Sequence, residues 1–116
     1  TNIYYNTNIS TLKSQLALIQ NGIVKYKNKN ILLSNNEELI ILDDVTQNSS
    51  GEKLFSKVID FSIVSTNNTK RESGMWVKMA NNSYAFYLLS DKSALFSFEN
   101  GIFLCKSNEE LCREIE

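Results

Sequence analysis

The sequence predicts an α+β domain, in which a long amphipathic N-terminal helix packs on a four-stranded antiparallel meander sheet. Two patterns lead to this fold class. Apolar residues recur at helical spacing in the first quarter of the chain, and four short runs rich in aromatic and β-branched residues lie in its last third. Helices followed by consecutive strands are typical of α+β folds.

The helix is predicted from the segment ISTLKSQLALIQNGIVKYK, and we assign residues 1–28 to it. Its apolar residues follow each other at steps of three and four, which places them on one side of a helix. This stripe consists of Ile9, Leu12, Leu16, Ile19, Ile23 and Tyr26. Leu18 and Val24 lie off the stripe and are predicted to widen it.

Residues 29–73 are predicted to be a variable connection, mostly loop. Within it, ELIIL fits either a short strand or a helical turn. The stretch SGEKLFSKVIDF predicts a short helix near residues 51–60, because Ser50 is a competent N-cap and apolar residues follow at helical spacing. The apolar face of that helix would contain Leu54, Phe55, Val58 and Ile59.

The β meander is predicted over residues 74–105, from the runs GMWVKMA, SYAFYLL, ALFSFEN and GIFLCK. Turn residues separate them at Asn81–Asn82, Ser90–Ser93 and Asn100–Gly101. Asn-Gly is the strongest short hairpin signal, and connections this short force antiparallel neighbours. The aromatic residues predicted to supply most of the core are Trp76, Tyr84, Phe86, Phe96, Phe98 and Phe103.

The chain has two cysteines, Cys105 and Cys112, in a predicted C-terminal loop and tail over residues 105–116. A disulfide between them would hold a segment that otherwise frays, and would place maturation outside the cytosol. Two buried, unpaired thiols are the alternative. A metal site is disfavoured because the chain has no histidine and no second cysteine pair. A redox-active pair is also disfavoured, because such pairs normally have the spacing Cys-x-x-Cys and these two cysteines lie further apart. No metal or other cofactor is expected.

The charge balance argues against nucleic acid as the main partner. The 116 residues include 12 basic and 13 acidic side chains and carry a net charge of −1, which gives little attraction to phosphates. Two local basic groups remain candidates for a small patch, namely Lys25, Lys27 and Lys29, and Lys70 with Arg71.

The sequence does not indicate an enzyme, and we expect no catalytic residues and no small-molecule substrate. Without histidine the chain lacks the commonest general base. Adjacent acidic residues point to different sides of a helix or strand, so they are predicted to be solvated loop charges rather than catalytic dyads. These pairs are Asp43–Asp44, Glu37–Glu38 and Glu109–Glu110.

Several segments resemble small bacterial type IV pilins and type II secretion pseudopilins. They are LKSQLALIQNGIVKYKNKNIL, GEKLFSKVIDFSI, SGMWVK, NNSYAFYL and FLCKSNEELCREI. The resemblance implies that a cleaved leader and an apolar helix precede Thr1, with Ile9 to Tyr26 matching the second half of that helix. It implies an inner-membrane anchor with a periplasmic domain, or an extracellular location in a filament. Other pilin or pseudopilin subunits would be the partners, in secretion, pilus assembly or DNA uptake.

Two segments are predicted to project from the sheet and contact other subunits, namely Lys106 to Leu111 and Asn28 to Gly51. The alternative is that both are ordinary solvated loops. The alternative function is a small exported adhesin or an immunity-type binding domain without catalytic activity.

Overall fold

The fold is α+β, as predicted from the sequence. A computed structural model describes residues 3–34 and 38–116. Two helices and six strands occur among these residues, the first two strands as a separate pair. In chain order they are α1 (Ile3–Leu32), β1 (Lys53–Leu54), β2 (Ile63–Val64), β3 (Trp76–Ala80), β4 (Ser83–Leu89), β5 (Lys92–Glu99), β6 (Ile102–Cys105) and α2 (Glu109–Ile115).

Helix α1 buries the predicted apolar stripe. The stripe residues from Ile9 to Ile23 are no more than 8% exposed, and Tyr26 is partly buried. The prediction that Leu18 and Val24 widen the stripe was wrong, because they remain 47% and 53% exposed. The helix continues past residue 28 and ends at Leu32, shortly before Ser34 adopts a left-handed φ of 54°. A left-handed residue is a common way to end a helix.

The four predicted strands form one antiparallel sheet in the order β3-β4-β5-β6. Tyr84 pairs with Phe96, and Phe98 pairs with Phe103. Asn100 and Gly101 connect β5 to β6, both with positive φ (52° and 78°). Two positive φ values are what a type I′ hairpin turn requires, so Asn-Gly sets the register of the last hairpin. The predicted four-stranded meander is confirmed.

The core lies between α1 and one face of this sheet. All six aromatic residues predicted for the core are no more than 4% exposed. Trp76 lies at the centre, and its indole N–H donates to the Gln15 side chain of α1 at 2.8 Å. Phe55 joins the cluster from outside the sheet, with its ring 5.2 Å from that of Trp76 and 4.5 Å from that of Tyr84.

The predicted short helix near residues 51–60 was wrong. Lys53 and Leu54 form β1, which pairs antiparallel with β2. Phe55 adopts a left-handed φ of 60°, and its N–H donates to the Asp43 carboxylate at 3.0 Å instead of to a helical carbonyl. Leu54 and Phe55 are nevertheless fully buried. The apolar character of these residues predicted their burial correctly. Their spacing indicated a helix, whereas the structure has a short strand that ends at Leu54.

The segment ELIIL, residues 38–42, forms neither of the elements considered for it. It is irregular, but Leu39 and Leu42 are buried in the core. Asp43 follows directly and is 0% exposed. The range Asn28 to Gly51 is therefore not a simple projecting loop, because its first residues belong to α1 and its centre is anchored in the core.

The C-terminal tail contains a helix where a loop was predicted. Asn108 caps α2 by accepting the N–H of Leu111 at 2.8 Å, and Glu109 and Glu110 lie in the first turn, where the helix dipole favours acidic side chains. Leu111 and Ile115 are buried against the core. The tail is thus part of the packed domain, and Leu111 is not part of a projecting surface.

Gly22 allows the segment after β1 to approach α1 closely. A Cβ at this position would lie 1.9 Å from the carbonyl oxygen of Val58. Contacts this short force backbone atoms apart, so only glycine fits here. The unfavourable helix propensity of glycine is tolerated because the close approach requires it.

We predict that Gly22→Ala destabilises the domain by about 2 kcal/mol or more, since overpacking outweighs the gain in helix propensity. Urea unfolding followed by circular dichroism measures the change. Asn21→Ala is the matched control, because Asn21 is exposed on the same turn and should gain slightly in stability. Equal stabilisation of both variants would contradict the close approach.

Candidate functional site

Cys105 and Cys112 form a disulfide, with Cα atoms 5.8 Å apart. Cys105 ends β6 and Cys112 lies within α2, so the bond joins the terminal helix to the edge of the sheet. Ser107 adds to this junction, because its hydroxyl accepts the N–H of Leu95 at 2.8 Å. The two cysteines are bonded in the structure rather than left as unpaired thiols, and this bond holds the C-terminal segment covalently.

The same corner of the molecule contains a group with metal-like spacing. One ligand atom each from Cys105, Cys112 and Glu116 lies within 4.8 Å of the others. Zinc and similar ions bind cysteine as the thiolate. The disulfide consumes both sulfurs, so this group has no thiolate to offer an ion while the bond is intact.

Side chains of α1 cover the exposed edge of the sheet. Strand β6 is an edge strand, and an uncovered edge invites pairing with another chain. Gln20 donates to the carbonyl oxygen of Phe103 at 3.2 Å, and Lys27 donates to that of Gly101 at 2.5 Å. The first contact occupies one carbonyl acceptor of β6 and the second occupies the turn just before it, so part of this edge already bonds to α1.

A buried ion pair joins the irregular segment to the sheet. The Asp43 carboxylate lies 2.6 Å from the Lys78 ammonium group, and both side chains are almost fully buried. Tyr84 donates its hydroxyl to the other carboxylate oxygen at 2.7 Å. The N–H groups of Val45 and Phe55 donate to the carboxylate as well, each at 3.0 Å. Asp43 is thus fully satisfied, which is what a buried charge requires.

The protonation of this cluster follows from its contacts. Burial raises the pKa of the Asp43 carboxyl, but its hydrogen bonds outweigh burial and hold the pKa below the usual 3.8. Burial and the bond to Asp43 raise the pKa of the Tyr84 phenol. At neutral pH, Asp43 is therefore an ionised carboxylate and Tyr84 is a neutral phenol. The role of this cluster is to attach the irregular segment to the sheet.

The sequence prediction missed this cluster, because Asp43 was interpreted as a solvated loop charge. Asp44, its neighbour, is exposed as predicted, and so are Glu38, Glu109 and Glu110. Glu37 lies outside the described residues. Lys78 was the available signal, since a lysine inside the apolar strand WVKMA must either emerge on the solvent face or find a buried partner.

Three strongly exposed aliphatic side chains lie at the C-terminal end of α1 and directly after it. Ile31 is 74% exposed, Leu32 83% and Leu33 65%. Lys25, Lys27 and Lys29 precede them and are also exposed. We call these six residues the α1 tip. The second basic group, Lys70 and Arg71, lies in the loop between β2 and β3, where Arg71 donates to the Asn68 carbonyl at 2.8 Å. The two basic groups lie on different elements of the fold.

Comparisons with protein-family models, curated protein sequences and solved structures found no match. Within the part of the chain that the structure describes, neither helix combines the length and the apolar character that a bilayer crossing needs. What the chain does must therefore be inferred from its own fold and surfaces.

We predict that Asp43→Asn destabilises the domain by about 3 kcal/mol or more, because it leaves the Lys78 ammonium buried without a countercharge. Urea unfolding at neutral pH measures the loss. Asp44→Asn is the matched control and should change stability by less than about 0.5 kcal/mol, since Asp44 is exposed.

The pH dependence gives a second readout of the same pair. Because the folded pKa of Asp43 lies below its unfolded value, its contribution is present above about pH 4 and is lost as pH falls through the folded pKa. The wild type should therefore lose stability in acid more steeply than Asp43→Asn. Parallel acid profiles for the two proteins would contradict the assignment.

Reduction of the disulfide should lower the free energy of unfolding by about 2.5 kcal/mol, the chain-entropy value for so short a ring. Denaturant titrations with and without a phosphine reductant measure the difference. A variant carrying both Cys105→Ser and Cys112→Ser is the control and should not respond to the reductant. An unchanged wild-type midpoint on reduction would show that the bond does not stabilise the fold.

Proposed function

We propose that this chain is the exported domain of a type IV pilin-like subunit, a pilin or a pseudopilin of a type IV pilus or type II secretion-like filament. The packing of α1 along the sheet carries the proposal. Its 30 residues measure about 45 Å at the usual helical rise. The longest extent of the molecule is 50 Å. A rigid helix that spans the domain and packs by one stripe is suited to a subunit that is assembled through its helix.

The C-terminal disulfide supports export. Structural disulfides persist in oxidising compartments and are rare in the cytosol. The bond between Cys105 and Cys112 therefore favours a periplasmic or extracellular location. In the proposed role, an apolar continuation of the helix ahead of Thr1 anchors the subunit in the inner membrane and later lies in the filament core.

The domain itself contributes surfaces rather than chemistry in this role. Other pilin or pseudopilin subunits are the proposed partners, and the activities served are secretion, pilus assembly or DNA uptake. Asp43, whose carboxylate accepts several hydrogen bonds, is buried in the core and positions the irregular segment. That use of a buried charge fits a structural subunit.

The processing of the native chain tests the proposal. We would isolate the protein from the membrane fraction of the cells that make it, and determine its N-terminus and intact mass with and without reduction. We expect a processed apolar helix ahead of Thr1 and a gain of two hydrogens on reduction. The variant with both cysteines replaced by serine controls for the reduction step.

A cytosolic chain that begins close to Thr1 and carries two free thiols would overturn the filament role. The same result would favour a soluble immunity-type binding domain. An exported chain with the disulfide but without a preceding apolar helix would also overturn it, and would favour a small adhesin.

A further inference from the structure

We propose that Lys78 and Asp43 condense slowly to an isopeptide bond, an amide between their side chains, with Tyr84 as the proton donor. The bond would join β3 covalently to the irregular segment. Its reactants are the buried ion pair of the folded domain. The reaction lies within one chain and needs no partner, so the proposal does not depend on the filament role. Its test measures covalent mass, which the processing of the native chain does not affect.

The two reacting groups are held in contact from distant parts of the sequence. The Nζ atom of Lys78 lies 2.6 Å from Oδ1 of Asp43 and 3.3 Å from the backbone carbonyl oxygen of Asp43. The carbon that the nitrogen would attack, Cγ, is bonded directly to Oδ1. The nitrogen therefore has to move only from this oxygen to the adjacent carbon. Groups held together in this way react much faster than free ones, because folding has already restricted their relative motion.

The reaction is a condensation that needs no oxidant, reductant or co-reactant. A proton first passes from the Lys78 ammonium group to the Asp43 carboxylate, which gives an amine and a carboxylic acid. The Nζ–Cγ bond then forms and the Cγ–Oδ2 bond breaks. Oδ2 leaves as water with two of the three ammonium protons, and the third proton stays on the amide nitrogen. Lysine amines are established nucleophiles in proteins when they are uncharged.

The hydrogen bonds around the carboxylate are those that attack at its carbon requires. The N–H of Val45 donates to Oδ1 at 3.0 Å, and the N–H of Phe55 donates to Oδ2 at 3.0 Å. Backbone donors at such distances stabilise the negative charge that develops on oxygen when a nucleophile adds to the carbon. After the reaction, Val45 would continue to donate to Oδ1, which becomes the oxygen of the new amide.

Tyr84 holds a proton beside the oxygen that leaves. Its hydroxyl donates to Oδ2 at 2.7 Å. Burial and the bond to Asp43 raise the pKa of this phenol, so it keeps its proton at neutral pH. Passing that proton to Oδ2 and recovering one from the attacking nitrogen converts Oδ2 into water and leaves Tyr84 unchanged. Such general acid catalysis requires hydrogen-bond contact with the reacting atom, and the structure has that contact.

Burial determines both the direction and the rate of the condensation. The Lys78 and Asp43 side chains are 3% and 0% exposed, so the charged reactants lack the hydration that favours them over an amide in water. The hydrogen bonds of Asp43 nevertheless hold its pKa below the usual value, so the neutral pair that reacts is the minor form. The reaction is therefore slow compared with folding. Freshly folded chain contains the ion pair, and the bond accumulates as the protein ages.

Intact mass measured over time tests the proposal. The freshly purified 116-residue chain, with its disulfide formed, would be kept folded at neutral pH and sampled over several days. We expect the loss of one water. After reduction and tryptic digestion, the peptide of residues 30–53 should be joined to that of residues 72–92, because trypsin does not cleave after an acylated Lys78. The same chain kept unfolded in guanidinium chloride should lose no water.

Three variants assign the reacting groups. Tyr84→Phe should slow the loss of water by about 100-fold or more, since it removes the proton donor. Lys78→Met removes the nucleophile and should lose no water. Asp44→Asn is the matched control and should react like the wild type, because Asp44 is exposed. Circular dichroism establishes that each variant is folded before its rate is compared.

The acid stability of the aged protein is a second readout. The joined chain no longer has an ionised Asp43, so it should lose less stability in acid than freshly folded chain does. A wild-type mass that stays constant while the chain is folded would overturn the proposal. Loss of water without the joined peptide would also overturn it, and would indicate an imide at another aspartate. A Tyr84→Phe variant that reacts at the wild-type rate would overturn the role of Tyr84.

Discussion

The contact between the α1 stripe and the inner face of the sheet is the interaction on which the rest of the structure depends. Four short strands present a face of large aromatic side chains, and such a face is stable only when it is covered. Leu12 and Ile19 provide the cover and are fully buried, as is Trp76 opposite them. Three polar side chains of α1 complete the contact by donating to carbonyls of the sheet strands and of the β5–β6 turn. These donors are Asn8, Gln20 and Lys27.

Two further constraints hold the segments that have little regular structure. Asp43 binds the irregular segment to Lys78 and Tyr84 of the sheet, and its acceptance of the Phe55 N–H places the Phe55 ring in the aromatic cluster. The disulfide between Cys105 and Cys112 does the same for the C-terminal helix by covalent means. Each constraint attaches a segment to the unit formed by α1 and the sheet. Neither could position its segment if α1 and the sheet were not already packed together.

The sequence predicted those parts of the fold whose pattern is local. The stripe from Ile9 to Ile23 and the Asn100–Gly101 turn are determined by short-range spacing and by backbone conformation, and both were predicted correctly. The segment around Phe55 was predicted incorrectly, because a hydrogen bond to Asp43 and pairing with β2 overrode its helical spacing. Burial of Asp43 depends on Lys78, which is distant in sequence. The lysine indicated that a buried partner was possible, but the sequence did not indicate which residue that partner is. The disulfide was favoured over free thiols from composition and position, whereas helix α2 was missed.

These features describe a domain organised along one helix, which is the property that the proposed filament role requires. Native-state amide hydrogen exchange tests that organisation most directly, because it measures opening free energies residue by residue. The account predicts that amides from Leu12 to Ile23 exchange as slowly as the central strands β4 and β5, by global unfolding. Rapid exchange along α1 with protection retained in the sheet would show that the helix opens independently of the sheet. That result would contradict the account.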